Sequence, residues 1–165
     1  MLKGWNTKLK RGRVKIDKVR GFEIVEDAFK KNNGRPKLPQ CATERSAAYD
    51  FYAPINVTIE PMQSVMIWTD LKAYFRADEV LLINVRSSMG KQPVMLANTQ
   101  GWIDADYYNN PENNGNIGIR LLNLGKTDYE IHQGDRIAQG MFIKTLKADQ
   151  GNSNNQRLGG FGSTN

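Results

Sequence analysis

The sequence predicts an all-β protein, built as a barrel or a sandwich. Gly, Pro, Asn and Asp separate short apolar or β-branched runs at 56–59, 64–69, 80–85, 117–122 and 137–145. No long stretch keeps a helical period, and no internal repeat is visible. The length of 165 residues is that of one domain with a hydrophobic core of its own. We therefore expect a single β-domain over residues 1–150.

The residues before the first of these runs are less regular. Residues 13–19 alternate enough in polarity to form a strand, and residues 22–25 are either a second strand or the start of a helix. Residues 32–39 contain a glycine and two prolines, a composition typical of a loop. We expect all three segments to belong to the same domain.

The positive charge of the chain is concentrated near its N-terminus. The net charge is +6; residues 1–46 contain 13 Lys or Arg and 5 Asp or Glu, whereas the other 119 contain 10 and 12. We interpret residues 1–12 as a basic leader. Three roles remain open for this basic arm (1–20): a solvated surface, a nucleic-acid arm that binds phosphates, or a contact for an acidic regulatory protein.

The residues that the chain lacks exclude several classes of function. One cysteine, Cys41, cannot form an internal disulfide, and with one histidine, His132, it cannot build a zinc site. A single histidine also makes a Ser–His–Asp or Cys–His nucleophile implausible, and there is no P-loop motif. No apolar run is long enough for a membrane span, and no apolar segment follows the basic N-terminus. We expect a cytoplasmic protein without a membrane contact.

Three polar segments between predicted strands are candidates for chemistry. Residues 86–88, Arg-Ser-Ser, follow an apolar strand, where a guanidinium, two hydroxyls and backbone N–H groups suit phosphate. Residues 101–107 place carboxylates beside aromatic rings near a turn, and residues 134–139 form a turn that enters a strand. Taken singly, the last two are typical of hairpins with Asx turns.

The last fifteen residues differ in composition from the rest. Gly, Ser and Asn dominate residues 151–165, so we expect a mobile tail that cannot pack by itself. Arg157 and Phe161 are unusual residues for a mere spacer.

Together these segments resemble a known family. ERSAAYDFYAP (44–54), RSSMG (86–90), NTQGWIDADYY (98–108), GDRIAQ (134–139) and RLGGFGSTN (157–165) are similar, in order and spacing, to the five motifs of the trimeric dUTP nucleotidohydrolases, the dUTPases. The resemblance implies a jelly-roll-like β-barrel that assembles as a homotrimer, with active sites at subunit interfaces and a tail that closes over a neighbour's site. It also implies hydrolysis of dUTP to dUMP and pyrophosphate with Mg²⁺, which clears dUTP and supplies dUMP for thymidylate synthesis.

The resemblance assigns the nucleoside-binding and catalytic roles. Asp104 resembles the carboxylate that activates the attacking water, a role worth about 10²–10⁴-fold in rate. Tyr107 resembles the ring that packs under the deoxyribose and rejects a 2′-hydroxyl. The uracil-reading hairpin corresponds to Asn98, Gly101, Trp102 and Gly118, which leave no room for a 5-methyl group.

It also assigns the phosphate and tail residues. The phosphate cradle corresponds to Arg86, Ser87, Ser88 and Gln139. Asp50 is similar to the aspartate that reaches the metal through water only. Arg157 resembles the tail arginine that neutralises developing phosphate charge, and Phe161 the ring that stacks on uracil. Gly162, Ser163 and Thr164 would line the γ-phosphate.

Two alternatives stay open. A dCTP deaminase shares the implied fold but releases ammonia from the base. A scaffold of this kind can also act as a regulator through protein contacts, for which the basic arm and the extended hairpin tip (109–116) are the candidate surfaces.

Overall fold

The computed structural model describes residues 18–150 and 157–160. Within these residues the regular structure consists of strands and three short 3₁₀ turns, without an α-helix, as predicted. The strands are β1 (Gly21–Ile24), β2 (Gln40–Cys41), β3 (Tyr49–Tyr52), β4 (Val57–Ile59), β5 (Ser64–Trp68), β6 (Leu71–Tyr74), β7 (Glu79–Asn84), β8 (Val94–Leu96), β9 (Gly101–Asp104), β10 (Gly118–Asn123), β11 (Tyr129–Ile131) and β12 (Arg136–Lys144). The 3₁₀ turns are Asp27–Phe29, Ser87–Lys91 and Ala105–Tyr107.

All strand pairs of the described chain are antiparallel. The largest sheet has the order β2-β3-β12-β7-β9, and a second has the order β5-β10-β8. Two further pairs, β1-β6 and β11-β4, complete the layers. Long-range antiparallel pairing of this kind encloses one core between the sheets.

The core joins both large sheets. Phe51 and Leu81 of the first sheet and Leu121 of the second are fully buried in one hydrophobic cluster. Gly140, in the middle of β12, is required by this packing, because a Cβ there would lie 2.8 Å from the Phe51 ring. Along β10 buried residues alternate with more exposed ones, as expected for a strand with one face in the core.

The predicted runs match strands closely. The five runs become β4, β5, β7, β10 and β12, with ends that agree to about one residue. The strand alternative for residues 22–25 is confirmed by β1, and residues 32–39 form the predicted loop.

The prediction of a strand over residues 13–19 is wrong for Lys18 and Val19, which have no regular structure. The rest of that segment lies outside the described residues. So do residues 1–12 of the basic leader and, in the tail, Phe161, Gly162, Ser163 and Thr164. In the part of the chain that the structure describes, no helix has the length and apolarity needed to cross a bilayer.

Candidate active site

A cavity of about 340 Å³ opens beside the edge strand β9. Its lining combines strand β9, the turn before it, the start of β10 and the segment 157–160. Seven residues singled out from the sequence line it: Asn98, Gly101, Trp102, Asp104, Tyr107, Gly118 and Arg157. The structure thus brings the candidates for base, sugar and water contacts around one space of the size of a nucleoside.

The turn before β9 is held in a defined shape. Thr99 has a positive φ of 63°, and its amide donates to the carbonyl of Leu96 at 2.9 Å. The side-chain amide of Gln100 donates to the Asn84 side-chain oxygen at 3.0 Å and so ties the turn to the end of β7. Gly101 lies opposite Ile83, where a Cβ would come within 3.1 Å of that side chain. The turn is therefore fixed to the sheet at both of its ends.

A cation and two carboxylates meet at the mouth of the cavity. The guanidinium of Arg157 donates to Asp104 through Nη2 and to Asp106 through Nε, the latter at 2.7 Å. About half of each carboxylate side chain is exposed, whereas Arg157 is mostly covered. Solvent therefore reaches Asp104 even with the ion pair in place.

Tyr107 is the buried aromatic wall of the cavity. Its hydroxyl donates to the backbone carbonyl of Asn116 at 2.8 Å and accepts a hydrogen bond of 2.8 Å from the Asn113 amide. Burial raises the pKa of Tyr107 above its usual value, and the nearby Glu112 carboxylate adds to the effect. The phenol therefore stays protonated and keeps both hydrogen bonds at neutral pH.

The described piece of the tail lies against this wall. The backbone N–H of Gly160 donates to Glu112 at 3.1 Å. A Cβ at Gly160 would lie 2.6 Å from the Tyr107 ring, so only glycine fits this approach. The family resemblance implies a tail that covers a neighbour's site; in this single chain residues 157–160 cover the cavity of the same chain.

The predicted phosphate residues form a second polar group elsewhere. The Arg86 guanidinium donates to the buried Asp50 carboxylate at 2.8 Å and to the Ser88 hydroxyl at 3.2 Å. Arg136 donates to the other oxygen of Asp50 at 3.3 Å. A shallow cavity of about 270 Å³ lies between Arg86, Ser88 and Arg136. Two guanidiniums aimed by one carboxylate suit a phosphate chain.

The remaining residues of this group lie close by. Ser87 is exposed at the start of the 3₁₀ turn, and Gln139 donates to the carbonyl of Val85 at 3.3 Å. Both oxygens of Asp50 are engaged by guanidiniums. Within residues 18–150 and 157–160, no cluster of three or more His, Cys, Asp or Glu could hold a metal ion.

The two polar groups lie at opposite ends of strand β7. Asp104 is in register with Val80, near the start of β7, whereas Arg86 follows its last residue by two positions. Arg86 follows Val80 by six positions of extended chain, a distance of roughly 20 Å. The candidate residues therefore make two half-sites within one chain.

Several residues of these half-sites were not singled out from the sequence. Arg136 and Asp106 stand inside the recognised motifs, so the motif itself was the signal that could have found them. Gln100 also stands inside a recognised motif, whereas Glu112 and Asn113 have no such signal, because their contacts depend on how the loop folds back.

The fold and the two half-sites together define a β-barrel protein that binds a phosphorylated nucleoside. The family profile named dUTPase matches residues 35–165. The chain therefore belongs to the dUTPase family, as the five motifs predict.

Individual relatives agree with this assignment. The deoxyuridine 5′-triphosphate nucleotidohydrolase of Lactococcus lactis is 41% identical over 150 residues, which cover 89% of this chain and 98% of that protein. The protein of the same name from Fowlpox virus is 35% identical over 148 residues, covering 81% and 93%. The crystal structure of the dUTPase from Streptococcus mutans superimposes with a TM-score of 0.70 at 34% identity, covering 79% of this chain and 99% of that one.

Proposed function

We propose that this chain hydrolyses dUTP to dUMP and pyrophosphate, and so clears dUTP and supplies dUMP for thymidylate synthesis. The observation that carries the proposal is the position of Asp104, a solvent-accessible carboxylate at the mouth of a nucleoside-sized cavity in a dUTPase fold. We expect the reaction to take place in the cytoplasm. This location fits a chain whose single cysteine, Cys41, forms no disulfide.

In this proposal Asp104 is the general base. Its carboxylate orients a water molecule and accepts a proton as the water oxygen attacks the α-phosphorus. The bond between that phosphorus and the bridging oxygen breaks, and pyrophosphate leaves with the electron pair of the bond. A positioned carboxylate of this kind contributes about 10²–10⁴-fold.

Selection of deoxyuridine follows from the walls of the cavity. The base lies in the turn formed by Asn98, Gly101, Trp102 and Gly118, where backbone groups read its edge and a 5-methyl group does not fit. The sugar lies on Tyr107, where a 2′-hydroxyl would collide with the ring. The close approach of Gly101 to Ile83 supports a turn too rigid to widen for a larger base.

The phosphates are held by the second group. Arg86, Ser87, Ser88 and Gln139 supply donors, and Asp50 orients Arg86. These residues suit Mg²⁺ held mainly by the phosphates and their water shell, because the described residues hold no metal-binding cluster and both Asp50 oxygens already accept from arginines. Asp50 would reach such an ion through water only. When bound, Mg²⁺ would neutralise phosphate charge. The protein residues named above bind the phosphates and orient them.

A homotrimer with shared sites reconciles the two half-sites. A nucleotide whose base lies at Gly101 and whose α-phosphate lies at Asp104 runs along β9, away from the Arg86 end of β7. Its phosphates therefore cannot reach Arg86 of the same chain. A neighbouring copy that brings its own Arg86 group to Asp104 completes the site.

The surface between the half-sites supports such an assembly. Met141, Leu82 and Trp102 stand side by side on β12, β7 and β9, on the face opposite the buried Leu81. Trp102 is 62% exposed in the single chain. An apolar stripe of this kind is typical of a subunit interface.

Residues of the C-terminal tail contact the phosphates and the base in this proposal. Arg157 moves from Asp104 to the phosphates and neutralises the charge that develops there. Phe161 stacks on uracil, and Gly162, Ser163 and Thr164 line the γ-phosphate. These four residues lie outside the described residues, and their roles rest on the family resemblance.

The test is pyrophosphate release from dUTP, dCTP, dTTP and UTP with Mg²⁺, with ammonia measured in parallel. We expect turnover of dUTP alone. Ammonia from dCTP would identify a deaminase instead. No turnover of any nucleotide by the folded trimer would favour the regulatory scaffold.

A further inference from the structure

The segment between Tyr107 and β10 is rich in asparagine, and its structure shows what these side chains contact. This asparagine loop (109–116) does not project from the surface. Four of its asparagines are buried, at 8% exposure or less: Asn110, Asn113, Asn114 and Asn116. The alternative of a regulatory contact through this tip stays a prediction, and Asn109, Pro111 and Glu112 are the exposed residues that could make it.

The loop closes on Tyr107 from two directions. The side-chain amide of Asn110 donates to the backbone carbonyl of Tyr107 at 2.9 Å, and the amide of Asn113 donates to its hydroxyl at 2.8 Å. The hydroxyl in turn donates to the Asn116 carbonyl. A phenol has one donor and accepts readily from one partner, so both functions of this hydroxyl are engaged.

Asn113 is itself held rigidly. Its side-chain oxygen accepts from the Asn110 amide at 2.8 Å and from the Gly115 backbone at 3.0 Å. Asn109, Asn114 and Gly115 adopt positive φ, which asparagine and glycine tolerate better than other residues. The composition of the loop follows from this backbone path.

The loop is anchored to the barrel on its far side. The buried Lys72 ammonium donates to Asn109 at 2.6 Å and to Asn114 at 2.8 Å. Asn114 also exchanges hydrogen bonds with Glu26, at 3.0 and 3.1 Å. The Asn114 backbone N–H donates to the Asn110 carbonyl at 2.9 Å, and this hydrogen bond links the group around the Tyr107 hydroxyl to Lys72 on β6.

We propose that Asn113 is a positioning residue for sugar discrimination, because it fixes the Tyr107 ring at its hydroxyl. This inference rests on the proposed function, in which the ring rejects a 2′-hydroxyl. The Tyr107 ring can exclude a 2′-hydroxyl by steric contact only if the ring cannot move away from the sugar. Without the hydrogen bond from Asn113 the ring can tilt and admit ribose.

The test compares kcat/KM for dUTP, UTP and dTTP in Asn113→Ala and Tyr107→Phe. We expect the dUTP-to-UTP ratio to fall about five- to tenfold in Asn113→Ala, the loss that corresponds to one hydrogen bond. It should fall at least as far in Tyr107→Phe, which also removes the hydrogen bond to the Asn116 carbonyl. The dUTP-to-dTTP ratio should stay constant, because the base turn and not the ring excludes the methyl group. In the double variant the ratio should fall no further than in Tyr107→Phe, since both changes remove the same bond.

Asn123→Ala is the matched control. Asn123 is also buried and also makes three side-chain hydrogen bonds, but at the other end of β10 from Gly118. It should lose stability without a change in the dUTP-to-UTP ratio.

Three results would overturn the inference: an unchanged ratio in Asn113→Ala and Tyr107→Phe, an equal fall in Asn123→Ala, or fully additive effects in the double variant. A wild-type protein that does not hydrolyse dUTP, or hydrolyses UTP equally well, would refute the proposed function itself. The two failures are therefore distinguishable.

Discussion

Arg157 and Asp104 form an ion pair across the mouth of the cavity, with Asp106 as a second acceptor for the same guanidinium. The contact joins the beginning of the described tail to the carboxylate that the proposal makes the general base. A bound triphosphate offers Arg157 a stronger anion than Asp104. Exchange of partners would free the carboxylate for water and bring the cation to the phosphates.

We therefore expect Arg157→Ala to lower kcat for dUTP by about 10²–10³-fold, the usual cost of removing one donor that stabilises transition-state charge. Arg157→Lys should restore only part of the rate, because an ammonium lacks the planar fork of donors. Steady-state kinetics of pyrophosphate release measures both. Leu158→Ala, at the exposed neighbouring position, is the control and should remain close to wild type. Full activity of Arg157→Ala would remove this residue from the mechanism.

Shared sites can be tested by mixing two defective subunits. Asp104→Asn and Arg86→Ala should each be inactive as pure trimers. When equal amounts are co-assembled, about a quarter of the sites combine an intact Asp104 with an intact Arg86 of a neighbour, so about a quarter of the activity should return.

The matched control for this experiment is co-assembly of Asp104→Asn with Asp104→Ala, which should recover nothing. Absence of recovery in the first mixture, with trimers of both subunits verified by mass, would show that each site lies within one chain.

A further ion pair, between Arg20 and the buried Glu79, makes the stability of the fold depend on pH. The hydrogen bonds from Arg20 lower the pKa of Glu79 below its usual value. A lowered carboxyl pKa stabilises the fold above the unfolded value of about 4.3, and this stabilisation is lost as the pH falls through the lowered value. Arg20→Gln should accordingly destabilise the protein at pH 7, with a difference from wild type that shrinks below about pH 4.

Urea unfolding at pH 7, 5, 4 and 3 measures this dependence. Arg35→Gln makes the same change in the exposed loop 32–39 and should shift the unfolding midpoint little at any of these values. A constant difference between Arg20→Gln and wild type across the range would contradict the assignment to Glu79.

The strands could be predicted where apolar runs were long enough to show a pattern. β7 and β12 are the clearest cases, since their inward side chains build the core. The apolar runs do not mark β2, β3, β6, β8, β9 and β11, of which β2, β8 and β11 have only two or three residues. Segments this short carry too few side chains for periodicity to separate strand from loop.

The sequence selects candidate site residues, but it does not show their arrangement. The motifs select Asp104 and Arg86 together, yet only the register of β7 with β9 shows that they lie at opposite ends of one strand. Asn113 was not predictable, because its contact with Tyr107 requires a loop that reverses over six residues. Such local reversals depend on positive φ values and on side-chain hydrogen bonds, which leave only a weak trace in composition.

In the proposed mechanism Asp104 activates water for attack on dUTP. The most direct test measures kcat and dUTP affinity of Asp104→Asn beside Asp106→Asn, which removes the neighbouring carboxylate on the same arginine. We expect Asp104→Asn to bind dUTP and to lose about 10²–10⁴-fold in kcat, and Asp106→Asn to lose far less. Near-normal turnover by Asp104→Asn, or an equal loss in both variants, would contradict the account.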